Sequence, residues 1–241
     1  MNPLARLAYA IVSLGLIGIA SSAIAAPAVQ VPPRVEIHYR VSMSGMKIGE
    51  GHDVFESDGH TYKIVSESNT AGLAAIYRFS IRRESQGLVV ASGLRPLQYQ
   101  EQRNGKLKRK VDFDWNKKQA TLFDGKDSEI APLPDNTWDN TSFGYNFAFA
   151  PPTDSEMVVN LTDGRRINDY RYAILGREKI DTDLGKMETV HVKKVLSPGD
   201  KRSFEVWLAV EQHYMPVRIR YTEKDGASFD SVVTEIQFPK K

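Results

Sequence analysis

The feature that most constrains the fold of this chain is a strict alternation of apolar and polar residues. The apolar side chains of the segment 35–43 all fall on odd positions: Val35, Ile37, Tyr39, Val41 and Met43. A period of two places successive side chains on opposite faces of a β-strand. The segment is therefore predicted to be a strand with one buried face and one solvated face.

The same alternation returns along most of the chain. It occurs at Tyr77, Phe79 and Ile81; at Met157, Val159 and Leu161; at Tyr170, Tyr172 and Ile174; at Phe204, Val206 and Leu208; and at Val217, Ile219 and Tyr221. Hairpin dipeptides separate the runs: Asp58-Gly59, Asn104-Gly105, Asp124-Gly125, Asp163-Gly164 and Asp225-Gly226. Such pairs tolerate the positive φ angles of tight turns, so roughly a dozen strands are predicted. The fold class is mainly β, an antiparallel meander that forms a strongly curved sheet or an open β-barrel.

The segment 139–150 favours two different structures. Its aromatic residues alternate strictly, as in a strand: Phe143, Tyr145, Phe147 and Phe149. However, Asp139, Asn140 and Thr141 are typical helix N-cap residues, and a Pro-Pro pair at 151–152 ends the run. We therefore favour a short helix over about 141–150, with a strand as the alternative.

The N-terminus has the pattern of a secretory signal peptide. Arg6 precedes an apolar run over residues 7–20, and Ala23 and Ala25 form an A-x-A cleavage site. The run is short for a membrane span, which needs about 20 residues. The chain also has no cysteine, so it lacks the thiol that a lipid anchor requires. Residues 1–25 are predicted to be a signal peptide and 26–241 a single β-rich domain. We expect a bacterial periplasmic location with no stable membrane anchor after cleavage.

The charge distribution argues against nucleic-acid binding. The formal net charge is only +2, too small to steer polyanions by a global field. The densest basic run, 103–110, follows the Asn104-Gly105 turn, and its lysines alternate with apolar residues. It is interpreted as the wet face of a hairpin, because a single-strand binding site would place aromatic side chains on the basic face. Weak contact with anionic lipid headgroups is the main alternative.

Motifs for catalysis are missing from the sequence. There is no G-x-S-x-G motif for a nucleophilic serine, and there is no thiol. The histidines are scattered and none has the spacing of a metal-binding pair: His38, His52, His60, His191 and His213. We therefore expect a non-enzymatic protein with no cofactor and no metal.

Several segments, taken in order, resemble one protein family. They are "SGLRPLQY", "FDW", "LPDNTWDNTSFGY", "IDTDLGKMETVHV", "FEVWLAVEQHYMPVRI" and a closing "KDG". This order and spacing is similar to the DUF3108 family of exported bacterial proteins. The most specific residues are Gly93, Pro96, Asp139, Ser142, Gly185, Trp207 and Pro216. The resemblance implies a β-rich periplasmic protein and carries no established activity or catalytic residues. Trp207 is expected to be buried and structural.

Two functions fit these observations. In the first, the concave face of the sheet binds a lipid-like or other apolar ligand, with Trp138, Phe143 and Phe147 as lining residues. In the second, the protein is a structural or assembly factor of the envelope that contacts a protein partner, and the aromatic residues only fill the core. A continuous apolar cavity beneath residues 138–149 would favour the first function, and a solid core the second.

Overall fold

The computed structural model describes residues 31–239, so the predicted signal peptide and its cleavage site lie outside the described residues. The strands are β1 (Arg34–Met43), β2 (Met46–Ser57), β3 (Thr61–Thr70), β4 (Ser80–Val90), β5 (Gly93–Arg103), β6 (Lys106–Asp114), β7 (Gln119–Phe123), β8 (Ser128–Pro132), β9 (Thr137–Asp139), β10 (Glu156–Thr162), β11 (Ile167–Thr182), β12 (Gly185–Lys194), β13 (Ser203–Ala209), β14 (Met215–Thr222) and β15 (Ser228–Gln237). The helical elements are α1 (Ser142–Asn146) and two 3₁₀ segments, Gly72–Tyr77 and Val210–Gln212. None of the helices in this part of the chain is long and apolar enough to cross a membrane.

All the strands belong to one curved sheet. Strands β1 to β7 each pair antiparallel with the next strand, as do β10 to β14, and β15 returns to pair with β1. Strand β9 differs, because it pairs parallel with β10 at the far edge. The predicted antiparallel meander is confirmed, with fifteen strands where the pattern indicated about a dozen.

The five predicted hairpin dipeptides all lie between consecutive strands. Their glycines have φ angles between +73° and +97°. The alternation in β1 also has the predicted consequence, because Val35, Ile37 and Tyr39 are buried while the residues between them face outward. Local turn chemistry and the period of two therefore account for most of the topology.

The strand predicted at Tyr77, Phe79 and Ile81 is wrong in its first half. The chain forms the 3₁₀ segment Gly72–Tyr77 instead, and β4 begins only at Ser80. Gly72 and Arg78 have φ angles of +61° and +43°, which turn the backbone out of an extended path. The Arg78 amide then donates to the Ala75 carbonyl at 3.0 Å. A short alternation is weak support for a strand when turn-forming residues flank it.

The sheet encloses two apolar cores. The larger lies inside the curve and includes side chains from β1, β2, β13 and β14 together with α1. The smaller is built mainly from β5 to β7 and the segment after β8: Tyr99, Val111, Phe113, Ala120, Leu122 and Leu133. The concave side of the sheet is thus packed by the chain itself, and α1 is part of that packing.

Candidate functional site

Strand β9 and helix α1 are fastened to β5 by side chains rather than by a strand ladder. The Trp138 indole Nε1 donates to the Leu94 carbonyl at 2.7 Å. The Leu94 amide donates to the Asn146 side-chain oxygen at 2.8 Å. Both hydrogen bonds are buried, so a water molecule cannot take the place of a partner that is removed. They hold the aromatic segment against the first half of the sheet.

Asp139 organises the backbone at this junction. It is fully buried, and its Oδ1 accepts the amides of Thr141 at 2.9 Å and Ser142 at 2.8 Å. Its Oδ2 accepts the hydroxyls of Ser85 at 2.6 Å and Ser142 at 2.9 Å. Burial raises the pKa of Asp139, and the hydrogen bonds from Ser85 and Ser142 oppose that shift. Since no part of this carboxyl group reaches the surface, its role is to shape the turn into α1.

A second buried carboxyl group lies on the other side of α1. The Tyr145 hydroxyl donates to Asp53 Oδ2 at 2.8 Å. Burial raises the pKa of Asp53 and also that of the Tyr145 hydroxyl. This bond ties α1 to β2, just as Asp139 ties it to β4. Helix α1 is consequently held from two sides.

The three residues predicted to line a ligand cleft are brought together by the fold. Trp138, Phe143 and Phe147 are 7%, 2% and 1% exposed. The ring of Phe143 lies 5.3 Å from Phe147, 6.5 Å from Trp138 and 4.8 Å from Tyr172 between centroids. These are ordinary distances for packed aromatic pairs. Two surface cavities, of about 600 and 290 Å³, are lined by other residues.

The interpretation of residues 141–150 as a short helix holds for five residues, Ser142–Asn146. The chain continues beyond them in turns, with the Phe149 and Ala150 amides donating to the Asn146 carbonyl at 3.0 Å. The alternating aromatic residues therefore lie along a short helix and the turns that follow it, and not along a strand. Phe149 is only partly buried, whereas Phe143 and Phe147 face the core.

Gly93 meets this junction from β5, whereas Pro96 of the same strand contacts the smaller core. Gly93 has a φ of +108°, and a Cβ placed on it would lie 2.1 Å from the Asn146 side-chain oxygen. The Pro96 carbonyl accepts the Trp115 indole N–H at 2.6 Å, which joins the strand end to the smaller core. A side chain at position 93 would therefore collide with the residue that orients α1.

Gly93→Ala is expected to destabilise the fold by about 2 kcal/mol, from a strained φ and the displacement of Asn146. Chemical denaturation would measure the loss. Gly59→Ala is a matched control, because Gly59 also has a positive φ, of +87°, but has open space around its Cβ position. An equal loss for both variants would contradict the contribution of Asn146.

Of the other three family residues, Trp207 and Gly185 lie away from the junction, and Pro216 lies against α1. Trp207 is 4% exposed, donates from Nε1 to Glu178 Oε1 at 2.6 Å and stacks on His191 at 4.2 Å. Gly185 has a φ of +97° in the turn between β11 and β12. The Pro216 carbonyl accepts the Tyr39 hydroxyl at 2.8 Å. Trp207 and Gly185 serve packing and a turn, and they do not share one site with Asp139, Ser142 and Gly93. Pro216 packs against α1 at Gly144, where a Cβ would lie 3.9 Å from the proline ring.

One end of the sheet has a surface that the sequence patterns did not indicate. Three turns lie side by side there, formed by residues 44–48, 71–80 and 103–108. The Ala71 amide donates to the Ile48 carbonyl at 3.0 Å, which joins the first turn to the second. The Ser80 amide donates to the Asn104 side-chain oxygen at 2.8 Å, which joins the second to the third. We call these three segments the basic apolar tip.

The composition of the basic apolar tip is unusual. Four large apolar side chains are exposed: Met46 at 68%, Ile76 at 82%, Phe79 at 43% and Leu107 at 40%. Five basic residues accompany them: Lys47, Arg78, Arg103, Lys106 and Lys108. The three segments contain no aspartate or glutamate. The sequence signal was present in the run "AGLAAIYRF", but its last residues were interpreted as a strand.

Comparison with known proteins gives a family and one solved structure of similar fold, and neither has a stated activity. The family described as "Protein of unknown function (DUF3108)" matches residues 36–234. No curated protein matches the sequence. A crystal structure of a β-barrel-like protein of the domain of unknown function DUF1849 from Brucella abortus superposes with a TM-score of 0.55 at 10% identity, covering 88% of this chain and 100% of that one. At this identity the likeness concerns the fold alone.

A second solved structure is more distant. It is described as a "putative lipoprotein" from Parabacteroides distasonis, with a TM-score of 0.36 at 12% identity, covering 86% of this chain and 97% of that one.

Proposed function

We propose that this chain, which belongs to the DUF3108 family, is an exported, non-enzymatic protein of the bacterial envelope that docks on an anionic membrane surface. The docking element is the basic apolar tip. The observation that carries the proposal is the exposure of Met46 and Ile76, at 68% and 82%, within three segments that contain five basic residues and no acidic ones. Two of these basic residues, Lys47 and Arg103, pair at 2.8 Å with Glu50 and Glu101, which lie just outside the segments.

The interior of the sheet supports a non-enzymatic role. The two described carboxyl groups whose pKa is raised, Asp53 and Asp139, are buried and hydrogen-bonded to hydroxyl groups of the protein. A perturbed carboxyl group is a catalytic candidate only where a substrate can reach it. Both groups instead anchor α1, so their shifted pKa values have a structural cause.

The chemistry of the tip matches that of a membrane interface. Apolar side chains insert between lipid headgroups, while flanking lysines and arginines contact the phosphates. Each basic residue near an anionic surface contributes about 1 kcal/mol, and full burial of an isoleucine or methionine side chain about 1.5–3 kcal/mol. Binding through Met46, Ile76 and the basic residues would therefore be reversible and sensitive to salt, as for a peripheral protein.

An aspartate at position 76 should remove most of this binding. In Ile76→Asp, the insertion energy is lost and a negative charge is placed against the lipid phosphates, so the membrane-binding constant should fall at least tenfold, which corresponds to about 1.4 kcal/mol. The measurement is co-sedimentation with phosphatidylglycerol vesicles at low and high salt, with phosphatidylcholine vesicles as the uncharged comparison.

Ile130→Asp is the matched control, because Ile130 is 66% exposed on β8, outside the tip. It introduces the same charge change and should bind as the wild type does. Wild-type protein that remains in the supernatant with phosphatidylglycerol vesicles would contradict the membrane proposal and leave a protein partner at the tip as the alternative. Equal losses in the two variants would also overturn it, because the effect would then be one of net charge.

Binding of an apolar ligand on the concave face is supported less well. Trp138, Phe143 and Phe147 pack against one another and against neighbouring rings, so a ligand would have to displace core side chains. The filled interior favours action through the outer surface, either on a membrane or on an envelope protein. Between these two, the basic residues of the tip favour the anionic membrane.

A further inference from the structure

The outer face of the β1–β2 hairpin brings two histidines together. His38 on β1 lies directly opposite His52 on β2. Their rings are stacked, with centroids 4.4 Å apart and planes inclined by 12°. Glu36 lies two residues before His38 on the same face of β1, and its Oε2 is 3.3 Å from His52 Nε2. Three side chains with metal-binding atoms therefore meet at one place.

We propose that Glu36, His38 and His52 form a binding site for a divalent transition-metal ion such as Zn²⁺. Each side chain offers one ligand atom, and these atoms lie within 4.8 Å of one another. All three residues are partly buried, so the site is open to solvent on one side. This site is separate from the basic apolar tip and does not depend on the proposed membrane binding.

The donor set selects the class of metal. Two imidazole nitrogens and one carboxylate oxygen are the ligands found in His₂Glu zinc sites, in which water takes the fourth position. Ca²⁺ and Mg²⁺ prefer oxygen ligands throughout, so they should compete poorly. Imidazole ligands suit Zn²⁺, Cu²⁺ and Ni²⁺, and among these three Zn²⁺ and Ni²⁺ are expected to bind less tightly than Cu²⁺.

Glu36 is already oriented as a ligand. Arg34 donates to its Oε1 from Nη2 at 2.7 Å and from Nε at 3.1 Å, which leaves Oε2 directed toward His52. These two hydrogen bonds from Arg34 hold the carboxylate group in this orientation. A partner that orients a ligand in this way is a usual part of a metal site.

Only a small rearrangement is needed to form the complete site. Ligand atoms around a tetrahedral Zn²⁺ ion lie about 3.4 Å apart, given bonds of about 2.0–2.1 Å. A metal ion lies in the plane of an imidazole ring that binds it, and these two rings lie in nearly parallel planes with centroids 4.4 Å apart, so one ring has to rotate out of the stack. Because His38 borders a surface cavity of about 290 Å³, its ring has space to do so. That cavity is also lined by three acidic residues, Glu50, Asp183 and Glu235, and by two basic ones, Lys47 and Arg40, which pair with Glu50 and Asp183 at 2.8 Å.

The hairpin formed by β11 and β12 completes the wall of this cavity. Asp183, in its turn, forms an ion pair with Arg40 of β1 at 2.8 Å. Strands β11 and β1 are separated by four other strands in the sheet order, so the hairpin end must bend back over the outer face. The proposed metal site thus lies beside a recess rather than on a flat surface.

Zn²⁺ titration of tag-free protein stripped with a chelator tests the site. We expect one ion per chain by native mass spectrometry, and binding weakened at least tenfold in His38→Asn and in His52→Asn, since loss of even an outer-shell partner costs about 10–100-fold. Zn²⁺ should also raise the melting temperature of the wild type and not that of the variants, because a ligand that binds only the folded state stabilises it.

His60→Asn is the control, because His60 is exposed in the turn between β2 and β3. It should bind as the wild type does. In the NMR spectrum of the wild type, Zn²⁺ should shift the imidazole signals of His38 and His52 and leave those of His60 and His213 in place. The proposal is overturned if the wild type binds no ion, if binding survives both the His38 and the His52 substitutions, or if the signals of His60 shift instead.

Discussion

Phe143→Ala is expected to lower the free energy of unfolding by about 3–5 kcal/mol, the usual range for truncation of a buried phenylalanine. Phe143 is 2% exposed, and its ring contacts those of Phe147, Tyr172 and Phe204 with centroids 4.8–6.3 Å apart. Because these neighbours are themselves buried or held by the sheet, they cannot collapse into the space that the ring leaves. Urea denaturation followed by circular dichroism would measure the change.

Two variants control for this effect. Phe143→Leu retains part of the volume and should lose less, because the cost grows with the size of the cavity. Phe79→Ala makes the same substitution at a ring that is 43% exposed and should change stability little. If Phe143→Ala leaves stability unchanged but abolishes binding of a fluorescent fatty-acid analogue, the aromatic segment lines a ligand cleft and does not serve as core.

Asp139→Ala is expected to destabilise the protein by about 4 kcal/mol, because it removes four buried hydrogen bonds at about 1 kcal/mol each. The donors are the amides of Thr141 and Ser142 and the hydroxyls of Ser85 and Ser142. Asp139→Asn retains an oxygen for the two amides and should cost much less. Denaturation of both variants at neutral pH gives the comparison. Equal losses of stability in the two variants would show that the charged carboxylate is required and that an amide of the same shape cannot replace it.

A comparison of the wild type with Asp139→Asn over a range of pH tests the raised pKa of Asp139. Burial raises this pKa above its value in the unfolded chain, so the folded state binds the proton more tightly. The resulting stability is present below the unfolded pKa and is lost as the pH rises through the folded pKa. As the pH rises from about 4 through the folded pKa, Asp139→Asn should therefore gain stability relative to the wild type. The opposite slope would show that the four hydrogen bonds outweigh burial.

Local patterns in the sequence were sufficient to predict the architecture. The period of two determines which side chains share a face of a strand, and an Asx-Gly pair permits the positive φ that a tight turn requires. Both depend only on neighbouring residues, so they can be identified without the tertiary structure. Position 77 shows the limit, because the left-handed backbone at Gly72 and Arg78 changed a predicted strand into the 3₁₀ segment of the tip.

Contacts between distant residues were decided by the tertiary structure alone. Ser85 and Asp139 are separated by 54 positions, and they meet because α1 folds into the curve of the sheet. His38 and His52 have no metal-site spacing in the sequence, yet the register of β1 against β2 places them opposite each other. Alternation specifies the face of a strand but not its partner, its register or the curvature of the sheet. The sequence therefore determined on which face of β1 the side chain of His38 lies. The pairing of whole strands determined which side chains lie next to it.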